Sequence, residues 1–409
     1  LARNIRKLLL NQRLKSYNPQ KSYLSIIGLS YGQALAIKSI FSIKGNTLWY
    51  VKKLIDKKFI EKYTFYKKDK ITDKSQIEPI LNEMQCKGCA NKIPQIILDK
   101  VFQENIKKGS LDADKVPYTK NIFQTTDVIS SIISDPFELG KISAKHALND
   151  IFASNSKPIA SQMIISLPPA INEINKRDLI QLKAGAEILM EKANCKIIGG
   201  HTYSNNDEQA YIGFSIIGKR KKYIKEKEIT TGNLYVTGKI GSAIVFAAIE
   251  KKIINGSYSK EVVNEMNKSN YEVFKIFNKY NIQSITDISG FGLAVHANNL
   301  LLRHSLLNGL EISLKKIPLY EGAIKALNKN VKSSLNDSNK ISIINNLEVK
   351  YEKIDRKLFN CLFDPQTGGG FLFILDNTQK KILLEFEKKK INFTCIGKVN
   401  KLDKKIRII

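Results

Sequence analysis

One short segment of the chain combines two thiols with a cation. Cys86 and Cys89 are three residues apart, and Lys92 follows three residues after Cys89. A Cys-x-x-Cys pair can bind zinc, but a structural zinc site needs a second pair at close spacing, and the other three cysteines are isolated. A redox dithiol is a second interpretation. The third is a single reactive thiol, Cys89, whose thiolate Lys92 favours while also binding a phosphate oxygen. A buried, inert cysteine beside a surface lysine is the structural alternative.

Acidic side chains are the second group that could do chemistry. Asp112 and Asp114 follow a Gly-Ser turn, Asp127 and Asp287 each end a predicted strand, and Asp150 is expected on the inner face of a helix. Any one of them can be a cap or turn residue. Several converging carboxylates would instead supply the oxygen ligands that Mg²⁺ prefers when it bridges phosphates.

Three glycine-containing turns adjoin predicted strands or helices, at residues 197–202, 286–292 and 364–370. Backbone N–H groups at such turns can bind phosphate. None of the turns matches the P-loop or the dinucleotide fingerprint, and tight turns need glycine for their own geometry. Each turn alone is therefore a weak indication of a phosphate site.

These residues require elements that position them, and strand and helix signals alternate from about residue 84. Asp135 followed by Pro136 predicts the start of a helix that would carry Asp150. The remaining pattern predicts strands at 122–126, 162–168, 210–218, 233–237 and 370–375, and helices at 47–63, 176–192, 242–252 and 260–280. The mixture predicts an α+β (mixed α/β) protein in two lobes, with a boundary near 218–223.

Composition narrows the class of protein. The chain has 409 residues, with 66 Lys and Arg against 38 Asp and Glu, for a formal charge of +28. The lysines are dispersed in short runs, which is typical of a solvated surface that attracts anions rather than of a nucleic-acid interface. No window has the roughly 18 consecutive apolar residues of a membrane helix, and the cysteines do not form a disulfide framework. We therefore expect a cytoplasmic protein that binds neither nucleic acid nor membrane. The chain starts at Leu1 rather than Met, so we expect it to be part of a longer one.

In chain order, these blocks resemble the selenide, water dikinase (selenophosphate synthetase) family over about residues 84–409. The resemblance rests on Cys89-x-x-Lys92, Thr125-Thr-Asp127, Asp135-Pro-Phe, His146-Ala-Leu-x-Asp150, Gly199-Gly-His-Thr202, Thr286-Asp-Ile-Ser-Gly-Phe-Gly with His296, and Asp364-Pro-Gln-Thr. It implies a two-lobed aminoimidazole ribonucleotide synthetase-like fold, with an N-terminal ATP-binding domain at 84–220 and a C-terminal synthetase-like domain at 221–409. It also implies a homodimer that converts ATP, selenide and water to selenophosphate, AMP and phosphate with Mg²⁺.

The resemblance also implies a role for each matching residue. Cys89 and Lys92 are expected to be catalytic, and Lys92 to contact the ATP phosphates. The expected Mg²⁺ ligands are Asp112, Asp150 and Asp287. The other expected ATP contacts are Gly109, Ser110, Leu111, Asp127, Asp150, Gly200, His201 and Thr202. Where the family usually has Asp-Ala-Ala-Val, this chain has Asp112-Ala-Asp114-Lys, so Asp114 stays an alternative to Asp112.

Residues 1–66 resemble something else, the C-terminal end of an FAD-dependent pyridine-nucleotide oxidoreductase. That resemblance rests on Tyr17-Asn-Pro-Gln, the stretch 27–36 and Gly45-Asn-Thr-Leu-Trp49, and 67–83 is predicted to be a linker. Because no Gly-x-Gly-x-x-Gly site is present, no FAD is expected from this chain. The alternatives for the whole protein are another ATP-dependent kinase or synthetase of the same superfamily, or a basic nucleic-acid-binding protein.

Overall fold

In the computed structural model the chain divides into two compact units, residues 1–78 and 79–409. The structure describes residues 13, 23–29, 32–39, 41–63, 87–88, 92–93, 112–221, 229–304, 307–349, 354–379, 381–401 and 404–409. The predicted linker at 67–83 lies outside the described residues. No described helix is both long and apolar enough to cross a membrane.

The first unit contains a three-stranded antiparallel sheet followed by a helix. Its elements are β1 (Leu24–Leu29), β2 (Gln33–Lys38), β3 (Phe41–Gly45) and α1 (Asn46–Tyr63). The helix predicted at 47–63 is therefore confirmed. Trp49 packs against Gly28 so closely that a Cβ at that glycine would lie 2.7 Å from the indole ring. The apolar positions Val51, Ile55 and Phe59, which have helical spacing, are exposed in this unit.

The second unit begins with a five-stranded sheet in the order β4-β5-β8-β6-β7. All neighbouring strands are antiparallel except β6 and β7. The elements are β4 (Asp114–Lys115), β5 (Ile122–Ser130), α2 (Pro136–Ala153), β6 (Ser156–Leu167), α3 (Asn172–Lys192), β7 (Lys196–Ser204) and β8 (Tyr211–Arg220). Helix α2 packs on β5, β6 and β8, and α3 packs on α2. The strand at 122–126 was expected to end at Asp127, which is wrong, because β5 continues to Ser130 and Asp127 lies inside it.

Local chemistry explains where α2 starts and how tightly it packs. The Asp135 carboxylate accepts hydrogen bonds from the backbone N–H groups of Phe137 and Glu138, and Pro136 occupies the first helical position. A Cβ at Gly185 of α3 would lie 1.9 Å from the Phe137 carbonyl oxygen of α2. Glycine is therefore required for the two helices to approach this closely.

The rest of the second unit surrounds a seven-stranded sheet in the order β10-β13-β9-β14-β11-β15-β12. Its strands are β9 (Asn233–Thr237), β10 (Ile285–Asp287), β11 (Gly309–Ile312), β12 (Leu347–Val349), β13 (Phe371–Leu375), β14 (Phe393–Asn400) and β15 (Lys405–Ile408). Its α-helices are α4 (Ser242–Glu250), α5 (Ser259–Met266), α6 (Tyr271–Tyr280), α7 (Gly292–Arg303), α8 (Glu321–Asn328), α9 (Asn336–Ile343), α10 (Arg356–Phe359) and α11 (Lys381–Lys388). The strands predicted at 233–237 and 370–375 are confirmed, whereas the helix predicted at 260–280 is two helices.

Helix α2 is buried between the two sheets, and its polar side chains bond to a helix and a loop next to the second sheet. The Asn149 amide donates to the Gly369 carbonyl at 3.0 Å, and the Lys145 ammonium donates to the Glu265 carbonyl at 2.8 Å. Helix α2 also contacts β10 directly. The two sheets and α2 therefore share one interior, and this arrangement brings β5, α2 and β10 to a common point.

Candidate active site

Four aspartates from four separated segments meet at that point, Asp150 and Asp287 buried and Asp112 and Asp127 partly buried. Asp112 precedes β4, Asp127 lies in β5, Asp150 lies near the end of α2, and Asp287 ends β10. Each of them influences the ionisation of at least one of the others, which requires that their charges lie close together. Asp114 is exposed on β4, so Asp112 is the acid of that pair that lies in the cluster.

Lys92 and His146 flank Asp127 on its two oxygens. The Lys92 ammonium lies 3.1 Å from Oδ1 of Asp127, and Nε2 of His146 lies 3.8 Å from Oδ2. Burial alone would raise the pKa of Asp127, but the charge of Lys92, helped by His146, outweighs it and lowers the pKa below its ordinary value. Burial lowers the pKa of His146 to about 4, so its ring is neutral near pH 7. Asp127 is therefore a carboxylate with its own cation.

Asp150 is in a different electrostatic position. The Thr125 hydroxyl donates to its Oδ2 at 2.6 Å. Burial raises the pKa of Asp150 well above its ordinary value, and the negative charges of Asp127 and Asp287 raise it further. A cation bound next to Asp150 would instead lower the pKa of this carboxyl group.

Asp112 and Asp287 complete the cluster. The Thr286 hydroxyl donates to Oδ1 of Asp112 at 2.7 Å, and the Arg303 guanidinium lies 3.7 Å from Oδ2. Both carboxylate oxygens of Asp287 are buried with no hydrogen-bond partner among the described residues. Burial raises the pKa of Asp287 well above its ordinary value, with the charge of Asp112 as the next cause. Buried acceptors without donors are unusual in proteins, which indicates that another group satisfies these oxygens.

A divalent cation fits this arrangement. Four carboxyl groups face two cations, Lys92 and Arg303, in the described cluster, so negative charges outnumber positive ones when all four are ionised. Carboxylate oxygens of Asp112 and Asp287 lie within 4.8 Å of each other, close enough for one ion, and a ring nitrogen of His296 lies within the same distance of both. The donors are mainly carboxylate oxygens, which suits a hard ion such as Mg²⁺ better than a soft one.

Two described residues near the predicted thiols, Gly88 and Lys92, contact β5. Cys86 and Cys89 lie outside the described residues, but Gly88 donates its N–H to the Ser130 hydroxyl at 2.9 Å. Gly88 has φ +73°, and a Cβ there would lie 2.6 Å from both Ile132 and the Thr367 hydroxyl. Only glycine fits this position, so the close contact of Gly88 with Ile132 and Thr367 depends on the absence of a side chain. Gly109, Ser110 and Leu111 also lie outside the described residues.

The predicted nucleotide contacts Gly200, His201 and Thr202 do not join the acid cluster in one chain. They lie in β7, the exposed edge strand, where His201 stacks on Tyr203. Gly200 is in register with Asp127 through Met163 and Phe214, so three strand intervals separate them. At about 4.8 Å per interval, the two residues are about 14 Å apart, too far to contact the same phosphate group.

The turn Asp364-Pro-Gln-Thr has structural contacts rather than an open phosphate cradle. The Gln366 side-chain oxygen accepts from the N–H groups of Gly241 and Ser242 at 3.2 Å each, which caps α4. Asp364 accepts from the next N–H group, that of Ala243, at 3.2 Å. Further along the same turn, the Gly368 N–H donates to Nδ1 of His146 at 3.4 Å.

Sequence reasoning did not assign roles to Thr125, Thr286, His296 or Arg303. Both threonines lie one or two residues before a clustered aspartate in a strand, a spacing that could have signalled them. His296 follows Asp287 by nine residues and is marked only by the family resemblance. Arg303 has no local signal, because its place beside Asp112 depends on contacts between distant segments.

The fold and site together define the class of protein. Residues 111–219 match the family described as AIR synthase related protein, N-terminal domain. The solved thiamine monophosphate kinase from Aquifex aeolicus has a TM-score of 0.52 at 16% identity, covering 77% of this chain and 94% of that one. The hydrogenase maturation protein HypE in complex with ATP has a TM-score of 0.52 at 15% identity, covering 77% and 90%. The chain therefore has the AIR synthase-related fold, and the predicted fold class is confirmed.

A curated relative narrows the comparison. The chain is 26% identical to selenide, water dikinase from Clostridioides difficile (strain 630) over 307 residues, which covers 70% of this chain and 84% of the relative. The similarity to selenide, water dikinases that the motifs predicted is thus confirmed. The comparisons do not support the predicted oxidoreductase resemblance of residues 1–66.

Proposed function

We propose that the protein synthesises selenophosphate from ATP, selenide and water, with AMP and phosphate as the other products. The observation that carries this proposal is the cluster of four aspartates beside Lys92, in a chain similar to selenide, water dikinases. Such a site can neutralise a triphosphate whose two anhydride bonds are both eventually cleaved. The dispersed positive charge of the surface favours the approach of two anionic substrates.

In this proposal Lys92 binds the ATP phosphates. Its partner in the structure is the Asp127 carboxylate, which lies 3.1 Å away and directs the ammonium into the site. The pKa of Asp127 is lowered, so this partner is ionised near pH 7. The Lys92 ammonium also lies 5.7 Å from the centre of the Phe291 ring, and this cation–π contact favours the same position of the side chain. Cys89 follows Gly88 directly and precedes Lys92 by three residues, and we assign it the role of the catalytic thiol that handles selenium.

Asp112, Asp150 and Asp287 are the proposed ligands of Mg²⁺. When bound, the ion would neutralise the phosphate charge and lower the carboxyl pKa values that burial raises in all three residues, helped by the charges of neighbouring acids at Asp150 and Asp287. The unsatisfied oxygens of Asp287 and the excess of negative charge support this assignment. Asp127 and Asp150 are placed to act on the nucleotide from β5 and α2, and residues 109–111 are proposed to line the same site. The division into domains at 84–220 and 221–409 stays a prediction.

We propose a homodimer in which Gly200, His201 and Thr202 of one copy contact the nucleotide of the other. The separation of about 14 Å within one chain supports this arrangement, since three strand intervals lie between Gly200 and Asp127. The sheet also carries exposed apolar side chains suited to an interface, namely Val128, Ile159, Ile198 and Ile217.

The test is selenide-dependent formation of AMP from ATP, followed by chromatography, with selenophosphate detected by phosphorus NMR. We expect Cys89→Ala and Lys92→Met to abolish it. Lys87→Met is the matched control, because Lys87 lies in the same segment but is exposed. Full selenide-dependent turnover by Cys89→Ala would remove the catalytic assignment. Thiamine monophosphate is tested as an alternative acceptor, because a kinase for that substrate has the same fold. ADP formation dependent on it, with no response to selenide, would contradict the proposed function.

The N-terminal unit has a separate proposal. We infer that residues 1–66 derive from the C-terminal end of an FAD-dependent oxidoreductase and bind no flavin in this chain. The absorbance of the purified protein near 450 nm tests this, and a stoichiometric flavin spectrum would contradict it.

A further inference from the structure

His296 is a buried side chain of α7 whose two ring nitrogens both have polar neighbours. Nε2 lies 3.2 Å from the backbone nitrogen of Ser289 and 3.2 Å from its hydroxyl oxygen. Nδ1 lies 3.3 Å from the hydroxyl oxygen of Thr286. The same hydroxyl lies 2.7 Å from Oδ1 of Asp112. These contacts connect the loop after Asp287 to an acid that precedes β4.

The direction of each hydrogen bond follows from the one group that cannot change its role. A backbone N–H can only donate, so the Ser289 N–H requires a lone pair on Nε2 of His296. A neutral imidazole with its lone pair on Nε2 carries its proton on Nδ1, and this proton faces the Thr286 oxygen. Thr286 then accepts from His296 and uses its own proton to donate to Asp112. The Asp112 carboxylate is preferred as the acceptor because it is charged and lies closer to the Thr286 hydroxyl than the Asp287 carbonyl oxygen does, at 2.7 Å against 3.1 Å.

We propose that His296 is a positioning residue that fixes the orientation of Asp112 through Thr286. With Thr286 on Oδ1 and Arg303 beside Oδ2, the carboxylate is held from both sides. This inference rests on the proposed role of Asp112 as a ligand of a divalent cation. Groups that orient a ligand in this way typically change metal affinity by about 10- to 100-fold when they are removed.

The competing assignment makes His296 itself a ligand, since its ring lies within 4.8 Å of ligand atoms of Asp112 and Asp287. The contacts argue against it. The Nε2 lone pair faces the Ser289 N–H, and Nδ1 carries the proton that faces Thr286, so neither nitrogen offers electrons to an ion. The two assignments predict different effects of substitutions on metal affinity and different spectra of a bound metal ion.

Two pairs of substitutions separate the contacts. His296→Asn places an amide N–H near Nδ1 and keeps the donor to Thr286, whereas His296→Gln places an oxygen near Nε2 and keeps only the acceptor for Ser289. Thr286→Val removes the hydroxyl at nearly constant shape, and Thr286→Ser keeps it. The dissociation constant of Mn²⁺ alone is measured on the full chain by electron paramagnetic resonance, with circular dichroism as the check on folding.

We expect His296→Gln and Thr286→Val to weaken Mn²⁺ binding by about 10-fold or more, and His296→Asn and Thr286→Ser to stay within about threefold of the original protein. Affinity retained by Gln and lost by Asn, unchanged affinity in Thr286→Val, or absence of Mn²⁺ binding by the original protein would overturn the inference. Nitrogen coupling to bound Mn²⁺ in pulsed spectra would overturn it as well, because it identifies His296 as a ligand. If the pattern holds but selenide supports no turnover, the positioning role stands and the proposed reaction fails.

Discussion

Replacing Asp287 by asparagine should stabilise the metal-free protein while removing its response to metal. Both oxygens of this carboxylate are buried with no donor among the described residues, and its side chain is 1% exposed. In the absence of an ion, the charge is opposed by Asp112 and Asp127 as well as by desolvation. Asparagine has nearly the same shape without the charge, so the substitution relieves repulsion without opening a cavity.

The magnitude follows from the burial of an unsatisfied group. Leaving a buried polar group without a partner costs about 1–3 kcal/mol, and more when it is charged. Asparagine keeps part of this penalty, so we expect the free energy of unfolding to rise by about 1–3 kcal/mol in the metal-free state. For a unit of this size that corresponds to an increase in melting temperature of roughly 1–4 °C. The original protein should instead gain stability from Mg²⁺, because an ion that binds only the folded state stabilises it.

Thermal unfolding in EDTA and in Mg²⁺ measures both effects. Asp114→Asn is the matched control, since Asp114 is an exposed acid two residues from Asp112, and it should change neither curve. The reasoning is refuted if Asp287→Asn is less stable than the original protein in EDTA, or if it keeps the full stabilisation by Mg²⁺.

The same unfolding experiment, repeated at different pH values, has an expected direction of change. Because the folded pKa of Asp287 lies above its ordinary value of 3.8, the folded state binds more protons than the unfolded state. The destabilisation by this group is therefore present above its folded pKa and is removed as the pH falls toward 3.8. The advantage of Asp287→Asn in EDTA should shrink over that interval. An advantage that grows on acidification would show that the buried charge of Asp287 is not the cause of the lower stability.

Three further predictions concern packing, capping and assembly. Gly88→Ala should lower the melting temperature and the rate of AMP formation, because its Cβ would lie 2.6 Å from Ile132 and Thr367; an unchanged protein would show that the segment shifts freely. Gln366→Ala should lower the free energy of unfolding in urea by about 1–2 kcal/mol through loss of the α4 cap, and no change would show that the cap is dispensable. Mixed, refolded Lys92→Met and His201→Ala proteins, each inactive alone, should regain about a quarter of the original activity if each site uses two copies, because half of the dimers then contain one intact site. No recovery despite verified mixed dimers would contradict the shared site.

Several elements could be predicted from local sequence because local physics decides them. Asp135 and Pro136 specify the start of α2 by capping, and the structure confirms this start. The strand at 233–237 is confirmed with the same bounds. The prediction of one continuous helix at 260–280 was wrong, because residues 267–270 separate two helices and periodicity alone does not reveal this break. The expected end of a strand at Asp127 was also wrong, because pairing with β8 extends β5 to Ser130.

The sequence by itself determined which groups are available for chemistry: a thiol and a lysine three residues apart, aspartates at recurring positions, and an order of motifs similar to that of the selenide, water dikinases. Only the tertiary structure decided which of these groups meet. Asp112 lies in the cluster and Asp114 does not, because Asp112 is held beside Thr286 of β10 while Asp114 is exposed to solvent. Gly200 and Asp127 share a register but lie about 14 Å apart, because sheet geometry separates them. Arg303 and His296 gain their neighbours only through packing, since burial and charge depend on atoms that are distant in the chain.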